Sequence, residues 1–169
     1  MSLFPFNLIS NFCHFRMSKL DINAEKSALL KLINQNVAQP FHFKQFFPGH
    51  RSTNFPMWYN STEPYMIKWA FHFEPYVIVK LNGLPLFDER FIGYGFNKVS
   101  FFMELDAMNY KMAVHPSAFV VHVPHPFSSD KVRFDHNQNK YMTCIRKRKK
   151  KFVNELAKKY SVNPKKYRF

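Results

Sequence analysis

Glycine is scarce in this chain of 169 residues, with four against eleven prolines. A loop that cradles a phosphate with bare backbone needs several closely spaced glycines. Gly93 and Gly95 are the one close pair, which argues against such a loop. Cysteine is scarcer still. Cys13 and Cys144 cannot build a disulfide framework, and they leave the redox compartment open. Acidic residues number 11 against 25 Lys and Arg, a formal charge of +14. That excess points to an anionic partner: a nucleotide, an acidic glycan, a phospholipid or a nucleic acid. Long apolar runs are missing as well. The opening ten residues are apolar but carry no basic lead, and Pro5 and polar residues interrupt them. They stop well short of the roughly 18 apolar residues of a spanning helix, so neither a signal nor an anchor is expected. The reading is then a cytosolic protein or a sequence without its true N-terminus.

Aromatic residues make up 18% of the chain, including 21 Phe. A chain of this length and composition is expected to bury a core rather than remain disordered. The charge is concentrated near the end. Arg146, Lys147, Arg148, Lys149, Lys150 and Lys151 are consecutive, and Lys158, Lys159, Lys165, Lys166 and Arg168 follow. Asn60-Ser61-Thr62 is a sequon that would accept an N-glycan in the secretory pathway.

Residues 1–20 read as an irregular lead-in, and 21–169 as the folded part. Leu29, Leu30, Ile33 and Val37 follow helical spacing, with Asn23 as N-cap and Pro40 as the stop. Residues 41–64 read as an ordered aromatic loop. Tyr65 to Phe73 alternates as a strand, and Tyr76 to Leu81 is a second. Lys98 to Tyr110 reads as a helix, and Ala118 to Val123 as a buried strand between Pro116 and Pro124. Gln138 to Tyr160 places Tyr141, Ile145, Phe152, Leu156 and Tyr160 on one side of a long amphipathic helix with a basic outer face. The mixture is α/β, a mixed sheet with flanking helices.

Four groups of residues are chemical candidates. His122 and His125 flank Pro124 at a strand end, where neutral imidazoles could meet a divalent transition metal; two ordinary histidines among eight would look the same. Gly93-Tyr94-Gly95-Phe96-Asn97-Lys98 bends the backbone just before a helix, whose N-terminus suits an anionic group. The alternative there is a tight strand-to-helix turn without a ligand. Asp88, Glu89, Glu104 and Asp106 are the nearby carboxylates that could act as a general base, although Glu104 and Asp106, two apart on a helix, do not share a face. Asp88-Glu89-Arg90 could equally be a surface ion pair. The run at 146–151 could bind nucleic acid, or be a solvated helix face; no nucleic-acid module accompanies it.

Several of these segments, in order, resemble one family. They are Gly49-His50-Arg51-Ser52-Thr53-Asn54-Phe55 with Trp58, Phe73-Glu74-Pro75-Tyr76-Val77, and Asp88 through Val99. Met103-Glu104-Leu105-Asp106 and Ala118 through His125 complete the set. From about Asp21 to the C-terminus the chain is similar to LARGE-like glucuronyltransferases, a family that includes the C-terminal domain of LARGE and the related beta-1,4-glucuronyltransferase.

The resemblance implies the C-terminal part of a GT-A type fold, with UDP-glucuronic acid as donor and manganese (Mn2+) as cofactor. The acceptor it implies is a xylose-containing, matriglycan-type O-mannosyl glycan on a protein such as dystroglycan. It also implies a lumenal domain at the Golgi membrane, and no nucleic-acid partner. It assigns a metal role to His125 or His122, and substrate contacts to Gly93, Tyr94, Gly95, Asn97 and Lys98. The Asp-x-Asp pair that holds the metal in GT-A enzymes occurs nowhere in the sequence. The expectation is therefore a chain without its donor-binding half and membrane anchor, inactive by itself. The competing reading is a non-catalytic, diverged relative that binds an anionic glycan or nucleic acid through its basic C-terminal helix.

Overall fold

The computed structural model describes residues 8–16 (backbone), 25–122 and 125–167. They fall into two compact units: residues 1–81 with 111–125, and residues 82–110 with 126–169.

Among the described residues, every strand lies in the first unit. β1 (Leu8–Arg16), β2 (Gln39–Pro40), β3 (Tyr65–Ile67), β4 (Tyr76–Ile78) and β5 (Lys111–His122) form one sheet in the order β2-β1-β5-β3, with β4 paired to β1. β1 runs parallel to β5, while its pairings with β2 and β4 and that of β3 with β5 are antiparallel. The mixed sheet is as expected, but its central strand lies in the segment read as an irregular lead-in. Residues 8–16 are a strand.

The β1–β5 ladder steps from Asn11–Val114 to Cys13–Phe119, so residues 115–118 bulge out. Pro116 has no N–H to give a ladder. The His115 Nδ1 accepts the backbone N–H groups of Ser117 at 3.3 Å and Ala118 at 3.2 Å, which closes the bulge. β5 therefore extends past the expected Ala118 in the N-terminal direction. Its buried residues are Met112 to Val114 and Pro116, whereas Ala118 to His122 is only half-buried, a correction to the buried run read there.

α1 (Lys26–Asn34) and α2 (Phe55–Asn60) pack on this sheet. Leu29, Ala38, Phe55, Trp58, Tyr65 and Val114 form the core, ringed by Leu30, Ile33, Phe43 and Phe119. The Trp58 indole donates to the His115 carbonyl at 3.0 Å, and the Lys26 ammonium donates to the carbonyls of Trp58 (2.5 Å) and Ser61 (2.7 Å). A cation at the C-terminal end of α2 also complements its dipole. Asn23, the expected cap of α1, lies outside the described residues; α1 starts after Glu25.

The aromatic segment 41–64 is more regular than a loop. It has two 3-10 turns, Phe47–Gly49 and Arg51–Thr53, then α2, entered through a left-handed Asn54 whose side chain accepts from Met57 N–H. β3 is shorter than its alternation predicts. His72 is left-handed, Phe73 N–H bonds back to Ala70, and the Trp69 indole donates to the Phe73 carbonyl at 3.3 Å, so the chain turns after Ile67.

The second unit is helical among its described residues: α3 (Asn97–Ala107), α4 (Ser129–His136), α5 (Gln138–Tyr160) and a 3-10 turn at Pro164–Tyr167. Eight of the eleven residues of α3 are buried, from Val99 to Ala107. α5 turns Ile145, Phe152, Val153 and Leu156 inward, as its spacing requires. α4 was not legible in the sequence, since none of its residues is buried and it has no apolar face to show. The hydroxyl of Ser128 caps it by accepting from Lys131 N–H.

Candidate functional site

Of the candidate residues, His122 and His125 lie in the first unit, and the Gly93–Lys98 turn and the acids lie in the second.

His122 is the last residue of β5, half-buried, and His125 is exposed. Pro124 between them lies outside the described residues. The two imidazole rings are 4.9 Å apart between centroids and inclined by 47°. Their neighbourhood holds more imidazole than the sequence suggests. Phe41 lies 4.5 Å from the His122 ring, 3.9 Å from His42 and 5.9 Å from His50. No spacing rule links residues 41–50 with 122, so His42 and His50 could not be associated with the pair from the sequence. Among the described residues no three His, Cys, Asp or Glu side chains gather as a set that could hold a metal ion. The pair is suited to supply part of a coordination sphere, because neutral imidazoles are borderline-soft donors for a divalent ion.

The Gly-Tyr-Gly turn is built by backbone sign. Gly93, Gly95 and Phe96 have φ of +83°, +93° and +66°, three left-handed residues within four positions. A β-carbon on Gly93 would collide with the Tyr141 hydroxyl, and that hydroxyl donates to the Ile92 carbonyl at 2.9 Å. Tyr94 packs 5.1 Å from Phe134, with the Lys131 ammonium 5.5 Å above its ring. Phe96 is the N-cap of α3 and offers no capping side chain. Asn97 takes the Lys98 N–H on its own Oδ1 at 2.8 Å, so one of the leading amides is already engaged.

Three of the four acids are committed to neighbours. Asp88 receives Arg90 through Nε (2.9 Å) and Nη2 (2.5 Å), and Arg90 also reaches Glu155 at 2.7 Å. The guanidinium holds the Asp88 carboxyl below the ordinary carboxylate range, against the opposing effect of burial. Glu104, only 9% exposed, accepts from Lys159 (2.9 Å) and Tyr160 (2.7 Å). Asp106 accepts from Tyr167 at 2.6 Å and pairs with Lys166 at 2.5 Å. Burial first, then this carboxylate, pushes the Tyr167 phenol well above its usual range. Glu104 and Asp106 thus both fasten the end of α5 and the turn that follows it. Glu89 is exposed, and among the described residues no salt bridge reaches it. The first acid was also legible as an ion pair, and it is one.

Asn60 is exposed at the end of α2, where its side-chain amide donates to the Pro56 carbonyl at 2.9 Å. The basic run lies on the outer side of α5, apart from Lys149. That residue is half-buried, its ammonium 5.9 Å from the Phe96 ring, and burial lowers its pKa. No helix among the described residues is long and apolar enough to cross a membrane.

Residues 13–161 match the family described as glycosyl-transferase for dystroglycan. The xylosyl- and glucuronyltransferase LARGE1 of Mus musculus is 36% identical over 149 residues, covering 88% of this chain and 19% of that protein. LARGE2s of Danio rerio is 37% identical over 149 residues, 88% of this chain and 20% of its own length. LARGE2 of Mus musculus is 36% identical over 154 residues, covering 91% and 22%. The chain spans about a fifth of the length of the curated relatives it matches.

Proposed function

We propose, for a chain that belongs to the family of glycosyltransferases for dystroglycan, that it forms the C-terminal part of a GT-A type domain transferring glucuronic acid. The donor is UDP-glucuronic acid, and the acceptor is a xylose-containing O-mannosyl glycan on a protein such as dystroglycan, met in the Golgi lumen. The observation that carries the reading is the family match over residues 13–161, joined by relatives named as xylosyl- and glucuronyltransferases that are 36% identical over 149 and 154 residues.

The histidine pair supports it. His125 and His122, with rings 4.9 Å apart, would hold a manganese ion on the β5 side. Such an ion supplies neutralisation of a leaving nucleotide diphosphate. The carboxylates that would share the ion are proposed to come from chain beyond these 169 residues, in which no Asp-x-Asp occurs. Gly93 to Lys98 would bring an anionic substrate group to the N-terminal end of α3, where the helix dipole favours negative charge. Because Asp88, Glu104 and Asp106 are held by Arg90, Lys159, Tyr160, Tyr167 and Lys166, their part in this reading is to fix the second unit. A general base from among the four candidates would be Glu89.

The test is a graft. Residues 13–161 replace the segment they match in the Mus musculus LARGE1 relative, and the secreted lumenal protein is assayed with UDP-glucuronic acid and a xylose-terminated acceptor. Transfer of glucuronate is expected from the graft, and no turnover from the 169-residue chain alone. A folded, secreted graft that transfers none would refute the reading.

A further inference from the structure

The outer face of α5 carries charge in a pattern that the transfer reading leaves unused. Lys140, Lys147, Lys151 and Lys158 are spaced by 7, 4 and 7 residues. At 100° per residue they fall within about 40° of one line, a stripe about 27 Å long at 1.5 Å per residue. Lys150 and Arg148 flank it about 80° to either side, Arg146 lies further round the helix, and all seven cations are exposed. The opposite side of the helix is the one that buries Ile145, Phe152, Val153 and Leu156. Among the described residues no salt bridge engages Lys140, Arg146, Lys147, Arg148, Lys150 or Lys158. Glu155, the single acid in α5, reaches Lys151 only at 3.9 Å and sits closer to Arg90, at 2.7 Å.

Like charges at i, i+4 and i, i+3 destabilise a helix by a few tenths of a kcal/mol per pair. Here they accumulate on a helix anchored by its other face, so the stripe is held in place without internal neutralisation. We propose that this face is a docking rail for a linear acidic polysaccharide, its carboxylates lying along the lysine stripe. The identity of the anion rests on the glucuronate-transfer reading, since a chain extended by that chemistry carries a carboxylate on each added uronic acid. Two other polyanions fit less well. A membrane-surface helix inserts an apolar face, and the apolar face of α5 is buried inside the protein. Single-stranded nucleic acid is held by exposed aromatic rings interleaved with charge, and the stripe has none between Lys147 and Lys158 on its outer side. Lysine, a flexible point charge, also suits spaced carboxylates in water better than bidentate phosphate recognition.

The probe is a hyaluronan decasaccharide, whose only charges are glucuronate carboxylates, titrated against the 169-residue chain. Binding is expected at low salt, weakening as salt screens it. The quadruple variant Lys147→Gln, Lys150→Gln, Lys151→Gln, Lys158→Gln should bind at least about tenfold more weakly. The corresponding four Arg substitutions should retain binding. Glutamine is nearly as good a helix former as lysine and removes like-charge repulsion, so an unchanged circular dichroism spectrum and a melting temperature no lower than the native one establish that the loss is one of charge. Absence of binding to the native chain, equal binding by the Gln variant, or tighter binding to anionic phospholipid vesicles or duplex DNA would each overturn the proposal. Retained hyaluronan binding with a graft inactive in transfer sinks the transfer reading, and lost binding with an active graft sinks the rail.

Discussion

The Tyr141 hydroxyl of α5 donates to the carbonyl of Ile92 at 2.9 Å, directly over the left-handed Gly93. This bond fixes the turn that leads into α3, and it explains the glycine twice over: by φ of +83°, and by the space the hydroxyl occupies. Gly93→Ala is expected to lower the unfolding free energy by about 2 kcal/mol, combining left-handed strain with the collision. Tyr141→Phe should cost about 1 kcal/mol alone. In the double variant the two effects should be less than additive, because removing the hydroxyl opens room for the new methyl. Chemical denaturation of the four proteins measures this coupling, and strict additivity would show that the hydroxyl does not set the glycine.

Glu104 ties α3 to the end of α5 through Lys159 and Tyr160. Truncating it leaves a phenol and an ammonium without their buried acceptor. Glu104→Ala should therefore destabilise by about 2 kcal/mol, read as a lower denaturation midpoint. Tyr160→Phe should recover part of that loss in the Glu104→Ala background, since one stranded donor is then gone. A Glu104→Ala protein as stable as the native chain would release this acid from a structural role and return it to consideration as a base.

Much of this was readable in the residues. The inward face of α5 follows from the spacing of Ile145, Phe152 and Leu156, and the turn at Gly93 and Gly95 from the two glycines. β3 and β4 were legible as strands, but the end of β3 was not, because its alternation continues through Trp69, Phe71 and Phe73 while the backbone turns at left-handed His72. β1 was missed because its segment combines Ser10, Asn11 and His14 with apolar residues in no clean period of two; its place in the sheet comes from pairing with β5, a relationship a hundred residues away. The histidine pair was visible as a spacing, whereas His42 and His50 joined Phe41 and His122 only through the fold. The acids were visible as types, but the partners of Glu104 and Asp106, namely Lys159, Tyr160, Lys166 and Tyr167, were not.

Asp88 supplies a pH signature. Its carboxyl is held below the ordinary aspartate range, chiefly by the side-chain bond to Arg90. A depressed carboxylate contributes stability that is present above its unfolded pKa and is lost as pH falls through the lower, folded one. The pair is partly exposed, so its contribution is about 1 kcal/mol or less. Asp88→Asn should lose this increment at neutral pH, and the gap between variant and native stabilities should narrow progressively as pH falls below about 4. A gap that stays constant from pH 7 to pH 3 would mean that the ion pair contributes nothing through charge.

The most direct test of the account is the manganese dependence of glucuronate transfer by the graft that carries residues 13–161. Substituting His125 and His122 together by Ala should raise the manganese concentration needed for half-maximal rate by roughly tenfold or more, as loss of metal-supporting residues does, with the protein still folded and secreted. Transfer that keeps its native rate and its native manganese dependence in the doubly substituted graft would contradict the assignment of these histidines, and with it the place given to this chain in the transferase site.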